Sequence, residues 1–93
     1  MFVGVLTVEL LLSEGHSLKD KRRVLKSLIE RVRNRFNASV AEVGDLEMWR
    51  RSSLAMSMVS NDQTHINKTF DSIIGFIEAR GELTIIDYHI QMY

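Results

Sequence analysis

Ser17-Leu-Lys-Asp-Lys-Arg-Arg-Val-Leu-Lys-Ser-Leu-Ile-Glu-Arg-Val-Arg-Asn-Arg-Phe36 reads as one amphipathic helix with a marked start. Ser17 followed three residues later by Asp20 is close to a capping box, in which the serine oxygen takes an orphan amide of the first turn. Leu18, Leu25, Leu28, Ile29, Val32 and Phe36 recur at helical spacing and share one face. At about 100° per residue, Lys19, Arg22, Arg23, Lys26 and Arg33 form a second stripe beside the apolar one, and Lys21, Arg31 and Arg35 fall on the other flank. Eight basic residues between Lys19 and Arg35 face only Asp20 and Glu30, a net of +6. The whole chain balances 12 basic against 12 acidic residues, so the remainder carries −6.

Working outward, Phe2 to Leu12 is a β-branched strand whose period-two side is Phe2, Leu6, Val8, Leu10 and Leu12. Its other side (Val3, Val5, Thr7, Glu9, Leu11) is also fairly apolar, which predicts a central strand with a partly covered second face. Ser13 to His16 is a loop with Gly15 as its turn residue. After the helix, Asn37 suits a left-handed terminating position. Ala38 to Val43 is a short strand without a readable inward face, and Gly44-Asp45 opens a hairpin. From Trp49 to Ser60, Leu54, Met56 and Met58 alternate with Ser53, Ala55 and Ser57, the half-buried strand pattern. A second helix starts at Ser60 or Asn61 as cap, with acid in its first turn. It carries Ile66, Phe70, Ile73, Ile74 and Ile77 on one stripe and ends at Gly81. Gly75 in its middle points to close packing on the sheet. Leu83 to Met92 is the last strand, with Ile86, Tyr88, Ile90 and Met92 on one side and Asp87, His89 and Gln91 on the other.

Strand, helix, strand, strand, helix, strand is the split β-α-β plan of an α+β ferredoxin-like fold. Right-handed crossovers predict a four-stranded antiparallel sheet in the order 4-1-3-2 with both helices on one face. Ninety-three residues are expected to form a single domain, residues 1–93. The absence of cysteine excludes disulfides and thiolate metal sites. The N-terminus lacks the basic region of a signal peptide, and the Phe2–Leu12 run is too short to span a bilayer. These features predict a cytoplasmic protein without membrane attachment. Zero net charge gives no global pull on nucleic acid, so any such binding is local.

The stretches His16-Ser-Leu-Lys-Asp-Lys-Arg-Arg-Val-Leu-Lys-Ser-Leu28, Ser39-Val-Ala-Glu-Val-Gly-Asp45 with Trp49, and Val59-Ser-Asn-Asp62 resemble the YlxP-like family of small bacterial proteins. The resemblance covers nearly the whole chain and implies the ferredoxin-like fold already reached from pattern. Genes of that family tend to sit beside those for translation initiation and ribosome maturation, which implies an RNA or ribosome connection. The family brings no catalytic residues to carry over.

Candidate sites follow from the charge layout. Lys19, Arg22, Arg23, Lys26 and Arg33 are the candidate RNA-binding residues, since each phosphate contact adds salt-dependent affinity and arginine suits bidentate phosphate contacts. The competing readings are a solvated face that keeps the chain soluble and attraction to the acidic remainder of a second copy. The loop Glu14-Gly15-His16, with Lys19 and the helix amides, is a weaker anion site, because Ser17 and Asp20 already use those donors. The outward sheet face lacks the aromatic pairs on which RNA-recognition folds stack bases. Val3, Val5, Ala55 and Val59 there suit a homodimer interface instead.

Enzymatic readings have little support. His16, His65 and His89 are scattered without metal-ligand spacing, and the five glycines form no phosphate loop. Asp45 and Glu47 have no histidine or basic neighbour to tune them for acid–base work. The glycine- and arginine-rich loop of acylphosphatases, which share this size and expected topology, is missing. Trp49 beside Arg50 and Arg51 would stack a base, although a lone tryptophan at a strand start usually closes one end of a core. The expectation is a non-enzymatic accessory protein without metal or cofactor, binding RNA or the ribosome through its first helix. The alternative is a dimeric protein–protein adaptor that associates through the open sheet face.

Overall fold

The computed structural model describes residues 1–13 and 17–93; the loop reading and anion-site reading of Glu14, Gly15 and His16 lie outside the described residues. Six elements follow in the expected order: β1 (Phe2–Leu12), α1 (Leu18–Arg35), β2 (Ser39–Gly44), β3 (Arg51–Ser60), α2 (Gln63–Glu78) and β4 (Leu83–Met92). The sheet runs β2-β3-β1-β4 with every neighbouring pair antiparallel, which is the predicted order 4-1-3-2 read from the other edge. The fold is α+β and ferredoxin-like.

Alternation along β1 sets the layers. Gly4, Leu6, Val8, Leu10 and Leu12 are buried, and the four leucine and valine side chains among them join Leu25, Leu28 and Val32 of α1 and Ile66, Phe70, Ile73 and Ile77 of α2 in one core. A Cβ on Gly4 would run into Ile66 Cγ2 and approach Phe70 Cε2 to 2.9 Å, so the glycine lets α2 lie directly on the central strand. The other side of β1, Val3 to Leu11, is half-buried by its strand neighbours and has no layer over it.

The helix ends show where local chemistry decides. Ser17 Oγ accepts the Asp20 amide at 3.1 Å, as the capping pattern predicts. For α2 the cap is Asp62, not Ser60 or Asn61. Its carboxylate accepts the amides of Thr64 at 3.0 Å and His65 at 3.4 Å, and its charge suits the positive helix end. Ser60 Oγ instead accepts the Asp62 amide, one step upstream. α1 closes on Phe36 in an extended conformation rather than on a left-handed Asn37, and the Phe36 ring meets Phe76 edge-on at 6.0 Å. α2 ends at Glu78 with Ala79 as its cap, three residues before Gly81. Gly75 is exposed and a Cβ there would meet nothing within 4 Å, so it does not mark close packing on the sheet; the buried side of α2 is the Ile66–Ile77 stripe.

Two strand readings change. β4 carries an irregularity: Glu9 pairs with Asp87 but Leu10 with Ile85, leaving Ile86 as the extra residue. Leu83 and Ile85 before it, and Tyr88, Ile90 and Met92 after it, therefore lie opposite core-facing β1 positions, while Ile86 is 47% exposed. β3 starts at Arg51, and Trp49 stands in the preceding loop 54% exposed rather than closing the core.

Candidate nucleic-acid interface

α1 docks through Leu25, Leu28 and Val32, which turns the predicted basic stripe outward. Lys19, Arg22, Arg23, Lys26 and Arg33 are all exposed. Arg22, Lys26 and Arg33 border a shallow groove between α1 and β2, which Leu25, Ile29 and Val40 and the carboxylates Glu30 and Glu42 also line. Arg33 reaches across this groove and donates from Nη2 to the Val40 carbonyl of the edge strand at 2.7 Å. Arg23 Nη2 stands 3.5 Å from Asp20 Oδ1, an exposed pair of the kind that contributes little. Among the described residues, Lys19, Arg22, Lys26 and Arg33 have no carboxylate at ion-pair distance.

Lys21 is not on a flank. It is 1% exposed, in the middle of the packed face, because Leu25, Leu28 and Val32 follow it at i+4, i+7 and i+11. Its ammonium pairs with Glu42 Oε2 at 2.9 Å and donates to the Asp45 carbonyl at 2.5 Å. Glu42, on the helix-facing side of β2 beside Val40, also accepts from Ser52 Oγ at 2.8 Å. Removing Lys21 from the count leaves seven exposed cations on α1 against Asp20 and Glu30, a net of +5. The outward charge excess survives the correction.

The far flank of α1 has a different character. The Arg35 guanidinium lies 5.3 Å from the Phe76 ring centroid and 5.9 Å from that of Phe36, joining the C-terminal half of α1 to α2.

On the opposite side of the molecule, the sheet brings Val3, Val5, Ala55 and Val59 together. Val3 pairs directly with Val59, and Ala55 lies opposite Thr7. Val59 is 57% exposed and the other three are half-buried. Ser53 Oγ donates to Glu9 Oε1 at 2.7 Å on the same face. The outward positions of β1 and β3 hold no aromatic ring, as the sequence implied. His65 and His89 are exposed and belong to α2 and β4 respectively. No helix among the described residues is long and apolar enough to cross a membrane.

Comparison with known proteins agrees with the resemblance read from the motifs. Residues 3–90 match the family described as "Protein of unknown function (DUF503)". The uncharacterized protein YlxP of Bacillus subtilis (strain 168) is 33% identical over 81 residues, spanning 87% of this chain and 88% of that protein. Among solved structures, LarC2, the C-terminal domain of a cyclometallase involved in the synthesis of the NPN cofactor of lactate racemase, aligns at a TM-score of 0.44 and 14% identity. That alignment covers all of this chain but only 56% of the other. The family match runs almost end to end and the similarity to YlxP extends over most of both chains, so this chain belongs to the YlxP-like DUF503 family of unknown function.

Proposed function

We propose that the chain is a non-catalytic accessory protein that binds RNA, in the ribosomal setting the family resemblance implies, through the outward side of α1. The observation that carries this reading is the exposed row Lys19, Arg22, Arg23, Lys26 and Arg33 on a chain whose total charge is zero. Such a row attracts a phosphate backbone locally without making the whole molecule a polycation. Two features distinguish it from an ordinary solvated face. Arg22, Lys26 and Arg33 converge on one groove, and of the two carboxylates that also line it, Glu30 and Glu42, the second is neutralised by the buried Lys21.

Filter-binding titration against ribosomal RNA fragments at two salt concentrations tests the reading. Five phosphate contacts predict a slope of log K against log salt of about −3.5 to −4.5. Reversing Arg22, Arg23 and Lys26 to glutamate is expected to abolish retention while circular dichroism and melting stay as in the parent, since all three side chains are exposed. If the triple reversal retains RNA as well as the parent does, this side of α1 is not the contact surface.

A second reading rests on the uncovered sheet face. Val3, Val5, Ala55 and Val59 lie together there without a layer over them, which supports a homodimer joined sheet to sheet. The two readings use opposite sides of the molecule and do not compete for residues.

A further inference from the structure

We infer that the cleft between the C-terminal halves of α1 and α2 is a stacking site for an unpaired base of single-stranded RNA. This deepens the RNA reading above and rests on it. Two shallow depressions, of about 390 and 480 Å³, meet at Arg35 and Phe76. Arg31 and Asn34 border the first, and Gly75 and Ser72 border the second. Among the described residues, no carboxylate lines either depression.

Flat, polarizable surfaces with fixed positive charge are what an unstacked base needs. Phe76 is only half-buried, and its edge-on contact with Phe36 holds the ring in place. The Arg35 guanidinium, already lying against that ring, supplies a second planar surface. Arg31 stands ready for the flanking phosphate, and the Asn34 amide offers both a donor and an acceptor to a base edge.

Gly75 gives an independent reason to look here. A glycine at an exposed position inside a helix weakens the helix, and none of the described residues occupies the space it leaves. The open ledge beside Phe76 lets something outside the chain approach the backbone closely. The α1 side of the cleft carries two arginines, while Asp71 and Glu78 stand one turn either side of Gly75 on α2. Arg31 and Arg35 lie on the same helix as the phosphate-binding row, one helix diameter away, about 10 Å. A strand held by Arg22, Lys26 and Arg33 crosses the outer side of α1 and delivers a base to the ledge.

A set of short single-stranded RNAs with 2-aminopurine at each successive position tests the site, with the matching duplex as control. The parent protein is expected to quench the probe at one position through stacking. Phe76→Leu, which keeps an apolar contact with Phe36, and Gly75→Leu, which fills the ledge from an open position, are each expected to remove that quench. Both lower single-strand affinity about tenfold and leave duplex affinity unchanged. Arg35→Lys keeps the charge and loses the plane, so it weakens the quench without changing the salt slope. Unaltered quenching in Phe76→Leu and Gly75→Leu overturns the cleft while the RNA reading stands. Failure of the parent to bind any of these RNAs at low salt removes both.

Discussion

Burying Lys21 takes an ammonium out of water, and the surroundings compensate it with the Glu42 carboxylate at 2.9 Å and the Asp45 carbonyl at 2.5 Å. The carbonyl belongs to a residue with φ 60, the one non-glycine in the left-handed region among the described residues, at the start of the β2–β3 loop. Lys21 thus ties the first turns of α1 to the end of β2 and fixes where that loop begins. Breaking one side of such a pair leaves the other charge uncompensated. Lys21→Ala is expected to destabilise the fold by about 3 kcal/mol, read as a lower urea midpoint with an unchanged slope. Lys21→Met combined with Glu42→Gln removes both charges and keeps the volume, and is expected to recover most of that loss. Equal destabilisation by the single and double variants would mean that the charge pair and its contact with the Asp45 carbonyl, not packing, are what Lys21 contributes. Read from the sequence, this lysine falls on a flank because it is charged, although its spacing to Leu25, Leu28 and Val32 puts it on the packed side. Its partner was not legible, because Glu42 lies on a six-residue strand too short to show which side faces inward.

Two glycines make α2 a test of how an element is held. At Gly4 an added methyl would collide with Ile66 and Phe70, both fully buried, so α2 must lift from β1 to admit it. Gly4→Ala is expected to destabilise by about 1–3 kcal/mol through overpacking. At Gly75 the same change meets open space and adds only helix propensity, so Gly75→Ala is expected to stabilise by roughly 1 kcal/mol. Thermal or urea unfolding of the two variants checks both signs, and a Gly75→Ala that melts below the parent would refute the account of that position. The elements themselves were legible where a pattern ran long: the eleven residues of β1 and the eighteen of α1 carry enough periods to fix type and inward face. Short-range competition was not. Asp62 displaced Ser60 as the cap because a carboxylate reaches two amides of the first turn. The extra residue at Ile86 flips the parity of β4 without any glycine or proline to announce it.

Across the whole molecule, the layers separate two surfaces of different chemistry. Helices lie on one side of the sheet with the cations of α1 pointing away from it, and the half-buried valines of β1 face the other way. The cationic row was legible because helical periodicity alone sorts outward residues. The Arg35–Phe76 cleft was not, since it needs the packing of two helices that are remote in sequence. If two copies join through their open faces, the sheets stack about 10 Å apart and each α1 ends on an outer surface of the dimer. Val5 is at the middle of that face, paired with Ser57 and Gln91, so a carboxylate there would be buried without a partner. Val5→Asp is therefore expected to sediment as a monomer where the parent sediments as a dimer; a parent and variant of equal mass would exclude pairing through this face. The same variant separates avidity from affinity. A short RNA engages one α1 and is expected to bind parent and Val5→Asp equally. An RNA long enough to reach both outer helices is expected to bind the parent at least tenfold more tightly, because the second contact becomes intramolecular, with a gain of about 10²–10⁴ when the span fits. Equal affinity of the long RNA for a dimeric parent and a monomeric variant would mean that the two cationic helices do not act on one strand.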